Sequence, residues 1–423
     1  MKGNGDLRRK VADLSAVLDI ARAMAAEDDL TRLLSLIMDR TRDVMCAERC
    51  SLFLYDEEKK ELWSKIAHDL EIQEIRFPVD KGIAGEVAVS RETQNIEDAY
   101  TDSRFNPEFD KQTGFRTRSI LCMPMVSFKN KLVGVIEVMN KQGGGGVFSE
   151  YDEFLLGTLA AQAGVSLEHA ELIESYVEKQ KLKSEMDIAG RIQQSLLPDT
   201  PPNISGFDIR GWNRACDETG GDYFDFIPLD ENRLLIPVGD VSGHGVGSAL
   251  QMATARALVH AFSYDSDDVE KVLCNVNNIL ERDLEDDTFM TMLVGILDTR
   301  DKTLAYSSAG HDAPLIYKKA THDFIQMDST GMILGAMPDV PFPVSDKEKL
   351  ETGDIVVMFT DGIFEAMDKD NQPFGTERIM DIIRNEADGN AEGIIRSIVK
   401  SVEVFSGDVP QRDDWTVIVC KVT

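Results

Sequence analysis

The chain is short of basic residues. Its 423 residues hold 45 Lys and Arg against 75 Asp and Glu, a formal net charge of −30. A surface of that sign argues against non-specific binding to nucleic acid or to anionic membrane. Paired cysteine motifs are missing too. Cys46, Cys50, Cys122, Cys216, Cys274 and Cys420 include no CxxC, which argues against a structural zinc site. Scattered thiols in a chain this long point to reduced cysteines and a cytoplasmic setting. No run of 18 apolar residues exists, so no membrane span is predicted. The opening MKGNGDLRRK and the following VADLSAVLDI are too polar for a secretory signal. A Walker loop, the kinase motifs and a GxSxG elbow are all absent, which sets aside kinases, nucleotide cyclases and serine hydrolases.

Apolar residues make up 43 % of the chain, enough for ordinary packed cores, and the length suggests two or three domains. Residues 7–46 read as helical, with Leu14, Val17, Leu18, Ala21 and Met24 on one face. A hairpin is predicted from Cys50 to Tyr55 and Glu61 to Ala67, around the polar turn at 56–60. Gly82 opens a short helix, strands follow at 119–126 and 132–139, and a helix covers 148–168. This is an α+β unit of sensor size. A helix then runs over 165–197. Leu182, Met186, Ala189, Gln193 and Leu196 form a heptad seam, and Pro198, Pro201 and Pro202 end it. The expected organisation is a sensor domain over 1–168, a coiled-coil linker over 169–200, and a second domain over 201–423. In that second domain many short strands alternate with a few paired helices, which suggests an αββα sandwich.

Four acids in this second half occupy unusual places. Asp240 ends the apolar run Leu234–Gly239, and Asp361 ends Ile355–Thr360. Asp413, with Asp414 beside it, precedes Trp415–Cys420, and Asp222 follows two glycines. Glycine lets backbone approach a ligand closely. Several such carboxylates at one rim make an all-oxygen site for hard divalent cations. Taken singly, each Asp is as readily a cap on a turn; four together weaken that reading.

These segments resemble the Mg/Mn-dependent PPM phosphatases of the SpoIIE/RsbU branch. The matching text is SLLP from Ser195, GGDYFDF from Gly220, GDVSGHGVGSAL from Gly239, AGHDAPL from Ala309, LG from Leu334, GDIVVMFTDGIFEAMD from Gly353 and RDDWTVIV from Arg412. The resemblance implies two divalent cations, Mn or Mg. Asp240 would bridge them and the backbone carbonyl of Val241 would add a ligand. Asp222 would serve one ion, Asp361 and Asp413 the other, with Asp414 able to exchange roles with Asp413. It also implies a phosphorylated STAS-type anti-anti-sigma protein as substrate. His244 and His311 read as structural, since a water activated by metal needs no protein base.

Residues 30–168 resemble a GAF domain of the cyclic-nucleotide-binding type. The text is ERCSLFLYD from Glu48, EIRFPVDKGIAGEVA from Glu74, TQNIEDAY from Thr93, DKQTGFRTRSILCMPM from Asp110 and VGVIEVMNK from Val133. Asn140, Lys141, Phe148, Asp152 and Glu153 complete its NK…F-x-x-x-D-E pattern. Those five are expected to brace the pocket. By resemblance, ligand contacts fall on Ser51, Ile83, Ala84, Tyr100, Thr113, Thr117 and Glu137. One departure from the family pattern is that Ala67 and His68 stand where related domains often place an aromatic against the base, so either His68 stacks there or the base is held weakly. The implied ligand is cAMP or cGMP, and GAF and linker helices imply a homodimer. Two functions compete: a ligand-regulated phosphoserine/phosphothreonine phosphatase, and a silent pseudophosphatase that only binds partners. A pseudoenzyme usually loses a metal ligand, and here every candidate position is Asp.

Overall fold

The computed structural model describes residues 2–68, 71–143, 145–266, 268–284 and 288–423; the side chains of 1–7, 9, 65–75, 109, 112, 113, 265 and 326 also lie outside the description. The chain forms two compact units, Met1–Gln180 and Lys181–Thr423. Among the described residues no helix is long and apolar enough to cross a membrane.

The first unit begins with α1 (Lys2–Ala25) and α2 (Leu30–Val44). Asp29 caps α2 by accepting the Arg32 N–H at 2.8 Å. Strands β1 (Ala47–Asp56), β2 (Glu61–His68) and β3 (Glu71–Pro78) follow, then α3 (Gly82–Ser90), β4 (Gln94–Ile96), α4 (Glu108–Thr113), β5 (Ile120–Val126), β6 (Leu132–Lys141) and α5 (Glu150–Gln194). The sheet runs β3-β2-β1-β6-β5-β4. The expected hairpin is β1–β2, closed at Asp56↔Glu61.

Strand alternation divides this sheet into two faces. Leu52, Leu54, Leu121, Met123, Ile136 and Val138 pack with α1, α2 and the first half of α5. Ile120, Cys122, Val135 and Met139 pack beneath α3. On α1 the buried stripe is Val17, Ile20 and Met24. Leu14 and Leu18, expected on that face, are 41 % and 62 % exposed. Both sit about 100° off a stripe centred on 17, 20 and 24, so Ile20 takes the place the pattern gave to Leu18.

The division between the units falls within α5. The second unit continues with β7 (Phe207–Arg214), β8 (Tyr223–Phe224), β9 (Ile227–Pro228), β10 (Arg233–Val241), α6 (Val246–Asp265), α7 (Val269–Asp283), β11 (Met290–Asp298) and β12 (Thr303–Ala309). Then come β13 (Leu315–Lys318), β14 (Asp323–Gln326), β15 (Glu348–Lys349), β16 (Ile355–Phe359), α8 (Asp361–Phe364), α9 (Thr376–Asn385), α10 (Ala391–Ser406) and β17 (Trp415–Val422). One sheet runs β15-β12-β11-β10-β8, with β9 also on β10; the other runs β14-β13-β16-β17-β7.

Period-two burial makes this unit a sandwich. Val356, Met358, Ile418 and Cys420 face the first sheet and share one core with Ile236, Val238, Leu293, α6 and α7. Their neighbours Ile355, Val357, Phe359, Val417 and Val419 point the other way, onto α9 and α10. Helices outside and sheets inside give the expected αββα order.

Candidate functional site

Two sheet ends meet where the four acids lie. Asp240 is one residue from the end of β10, and its neighbour Gly239 pairs with Tyr223, which follows Asp222. In the other sheet β16 pairs with β17, Phe359 opposite Val417. Asp361 therefore starts α8 just beyond one strand end, and Asp413 sits just before the adjacent strand start.

Three glycines allow the close approach. A Cβ on Gly221 would lie 2.7 Å from the Val241 carbonyl oxygen and 3.4 Å from Asp240 Oδ1. A side chain at Gly220 would collide with the Asp414 carboxylate. One at Gly362 would collide with the Asp414 carbonyl and lie 3.2 Å from Asp413 Cβ. These positions demand glycine for space, since none has a positive φ.

Asp222 is 3 % exposed. Its Oδ2 accepts from Thr360 Oγ1 at 2.7 Å and from Thr416 Oγ1 at 2.5 Å. Thr416 N–H donates in turn to Thr360 Oγ1 at 3.1 Å. Oδ1 of Asp222 is buried with no partner. The two threonines were not foreseen from sequence, although Thr360 precedes Asp361 and Thr416 is two residues from Asp414.

Asp414 differs from its neighbour Asp413. It is buried, and both oxygens take backbone donors: Oδ1 the Cys216 N–H at 2.8 Å, Oδ2 the Gly221 N–H at 2.6 Å and the Asp222 N–H at 3.3 Å. Asp413 spends one oxygen on the Asp414 N–H at 2.8 Å.

The electrostatics tie the acids into one cluster. Burial, then Asp240 and Asp414, hold the Asp222 carboxyl well above the usual range. Burial, then Asp361, Asp413 and Asp414, push Asp240 up to about 8. Burial leads for Asp361 and Asp413 as well; Glu365 and Asp312 add to the first, Asp361 and Asp414 to the second. Carboxylates so placed need protons or cations to neutralise them. Among the described residues no three His, Cys, Asp or Glu side chains converge tightly enough to enclose one ion alone. The donor set nevertheless fits hard divalent cations: oxygen only, mutually repelling, with one buried oxygen left unpartnered.

The two histidines of these motifs sit differently, and while burial raises the Asp413 carboxyl, the charge of His244 acts to lower it. His244 is exposed and its Nδ1 lies 2.9 Å from Asp217 Oδ2. His311 is buried, with Nδ1 2.8 Å from Thr291 Oγ1. Burial pushes its imidazole down to about 4, so it is neutral at pH 7.

Gln193 has a use its place in the heptad seam did not suggest. Its Nε2 donates to the Gly220 carbonyl at 2.5 Å, and its Oε1 accepts the Gly220 N–H at 3.0 Å. A Cβ on Gly190 would collide with the Glu218 carbonyl. The end of α5 thus holds the loop that carries Asp222.

In the first unit, Ser51, Glu137 and Cys122 are register partners across β1, β6 and β5 and share one face. Ile83 and Ala84 are buried at the start of α3. Tyr100 and Thr117 are committed to Asp110: the tyrosine hydroxyl donates to Oδ2 at 3.0 Å, the threonine hydroxyl to Oδ1 at 2.8 Å, and the Thr117 N–H to Oδ2 at 2.7 Å. The side chains of His68 and Thr113 lie outside the described residues.

The NK…F-x-x-x-D-E residues make contacts between neighbouring elements of the unit. Lys141 Nζ meets Asp152 Oδ1 at 2.7 Å and donates to the Met45 carbonyl at 2.8 Å. Asp152 Oδ2 accepts the Ser149 N–H and hydroxyl, both at 2.8 Å. Asn140 joins Glu48, Arg116 and Arg118, and Asn95 ties Phe148 to Glu153.

Glu137 has no hydrogen bond or ion pair among the described residues, and burial pushes its carboxyl up to about 7. A raised folded-state pKa favours the protonated form. Its stabilisation is full below about 4.5 and is lost as pH rises through about 7. Glu137→Gln removes this dependence. The variant's melting transition should gain on wild type by about 5–10 °C between pH 5 and 8, from a shift worth about 3 kcal/mol. Melting curves that stay parallel across that range overturn the assignment.

Comparison with known proteins agrees with both units. Residues 230–423 match the SpoIIE family, described as Stage II sporulation protein E, and residues 29–167 match the GAF domain family. Phosphoserine phosphatase RsbU of Bacillus subtilis (strain 168) is 27 % identical over 243 residues, covering 57 % of this chain and 71 % of RsbU. The solved SiaA-PP2C domain of Pseudomonas aeruginosa superposes with a TM-score of 0.52 at 22 % identity, covering 58 % of this chain and 99 % of that one. That likeness establishes the fold.

Proposed function

From a chain that is a GAF domain over residues 29–167 and a SpoIIE-family phosphatase domain in its C-terminal half, we propose a metal-dependent phosphoserine/phosphothreonine protein phosphatase, regulated by a small molecule in its GAF domain and acting in the cytoplasm. The observation that carries the reading is the carboxylate cluster at the joined sheet ends, with Asp222 Oδ1 buried and unpartnered.

In this reading Asp222, Asp240, Asp361 and Asp413, with the Val241 carbonyl, hold two divalent cations, Mn2+ or Mg2+. When bound, such a pair activates a water and clamps phosphoryl oxygens for in-line displacement. The chain's own contribution is placement. Thr360 and Thr416 fix one oxygen of Asp222, which aims the other. Asp414 fixes the backbone of Gly221 and Asp222. Gly221 and Gly362 keep Cβ atoms out of the space beside the carboxylates.

RsbU is named a phosphoserine phosphatase, which supports a phosphoserine substrate here. A phosphorylated STAS-domain protein is the specific proposal. The test is turnover of a phosphoserine STAS protein with Mn2+ and in chelator. Turnover that survives chelation, or none with Mn2+, removes the reading; a complete candidate ligand set supports it over a silent pseudophosphatase.

The regulatory ligand proposed is cAMP or cGMP. Support comes from the braced NK…F-x-x-x-D-E residues and from the Ser51–Glu137–Cys122 row. Titration calorimetry on the full chain should show saturable heat with one of the two nucleotides. Flat titrations with both at millimolar concentration exclude the cyclic-nucleotide proposal and leave the phosphatase untouched.

The chain is further proposed to be a homodimer. Leu172, Tyr176 and Val177 on α5 are 60 % or more exposed, more apolar surface than one helix normally leaves to water. Light scattering at the monomer mass would exclude it.

A further inference from the structure

A cavity of about 130 Å3 lies directly beside the carboxylate cluster. Gly362, Glu365, Met367, Arg412, Asp413 and Trp415 are among its walls. Gly362 and Asp413 thus belong both to the cavity and to the proposed metal centre. The volume is well below the roughly 300–1,000 Å3 of pockets that enclose whole small molecules. It suits a single side chain.

The wall is built rather than incidental. Gln411 Nε2 donates to the Arg214 carbonyl at 3.0 Å and to the Asp413 carbonyl at 2.7 Å, while its Oε1 accepts from Arg214 Nε at 2.9 Å. The Arg214 guanidinium lies 4.3 Å from the centre of the Trp415 ring and pairs with Glu403 at 2.7 Å. These contacts fix the loop 410–415 from behind. Its one basic member, Arg412, is the exception: it is exposed and has no ion pair or hydrogen bond among the described residues. An unpaired guanidinium is conspicuous in a chain with 30 more acids than bases. Glu365, on the other wall, lies close enough to Asp361 to push that carboxyl up, so it belongs with the acid cluster.

We propose that this cavity receives an acidic side chain flanking the phosphoserine of the substrate protein, and that Arg412 selects it by pairing with its carboxylate. The walls carry the acids Glu365 and Asp413, which belong with the acid cluster that bound cations would neutralise; among the described residues Arg412 is the one cation there, and it is left to pair with a carboxylate from the substrate. Continuity supports it as well: a peptide whose phosphoserine reaches the cluster must lay its neighbours along the adjoining surface. The inference rests on the phosphatase reading of the same centre, and it adds what that reading lacks, a preference about sequence around the phosphate.

The experiment uses the full chain with Mn2+ and phosphoserine peptides bearing Asp, Ala or Lys at each of three positions on either side. p-Nitrophenyl phosphate, which has no flanks, is measured alongside. Wild type should prefer Asp over Ala at one or more positions by about fivefold in kcat/KM, the range of one favourable exposed charge pair. In Arg412→Ala that ratio should fall to near one, and in Arg412→Glu it should invert in favour of Lys. Equal turnover of all peptides by wild type, a preference for apolar or basic flanks, or an acidic preference that persists in both variants overturns the proposal. Absence of Mn2+-dependent turnover of p-nitrophenyl phosphate by wild type instead overturns the phosphatase reading beneath it.

Discussion

Asp240→Asn should lower phosphoserine hydrolysis by about 10³- to 10⁴-fold while the protein remains folded. Asp240 stands on β10, where burial and then the charges of Asp361, Asp413 and Asp414 all act on it. No other candidate ligand is so surrounded by acids. In the proposed centre it would serve both cations, so its loss would disturb both at once. Cation assistance to phosphoryl transfer is worth several kcal/mol, and each 1.36 kcal/mol is tenfold in rate. The neutral amide fits the same space and removes one repulsive charge from a cluster of like charges, so stability without metal should hold or rise. Thermal melting supplies a readout independent of activity. Wild type should gain stability on addition of Mn2+, because a ligand that binds only the folded state stabilises it. Asp240→Asn should lose most of that gain. A variant that keeps wild-type turnover, or that melts with the same Mn2+ dependence, would sink the bridging role.

The sequence made Asp240 and Asp361 conspicuous because short continuous apolar runs read as strands buried on both faces, and although one acid after such a run is readily a turn cap, several together are not. The αββα layering was legible for the same reason, since residues such as Val356 and Val357 are apolar yet must face opposite cores. Other features left no local trace. Thr360 and Thr416 reach Asp222 from 138 and 194 residues away, and no spacing rule links such positions. Gln193 satisfied a heptad pattern while its amide served Gly220 across 27 residues. A seven-residue repeat records which face a residue occupies, and is silent on what that face meets. On α1 the apolar pattern was wider than the buried stripe, since Leu14 and Leu18 fit the period but stay exposed. In the GAF unit Tyr100 and Thr117 came forward through the family resemblance. Their hydroxyls converge on Asp110, whose role no local pattern disclosed.

Adjacent aspartates offered no way to choose between Asp413 and Asp414 from sequence, and here substitution should separate two unlike jobs. Asp414→Ala leaves the N–H groups of Cys216, Gly221 and Asp222 without their acceptor. An unsatisfied buried donor costs about 1–3 kcal/mol, and water can reach only the half-buried Cys216 end, so the total should be about 3–6 kcal/mol. That is a large share of a domain's 5–15 kcal/mol. The melting transition of the second unit should fall by roughly 10 °C or more. Activity should fall with it, through the lost placement of Asp222. Asp413→Ala removes a carboxylate that makes one hydrogen bond, to the Asp414 N–H. Its melting point without metal should shift by no more than about 2–4 °C, the effect of a single cap of about 1 kcal/mol. Its Mn2+ requirement should rise and its turnover should drop by about 10²-fold or more, as expected for loss of one direct ligand. The two variants are therefore predicted to be opposite in kind, one failing chiefly in stability and the other chiefly in metal use. If Asp414→Ala melts like wild type while Asp413→Ala turns over like wild type, the assignments are reversed and Asp414 is the ligand.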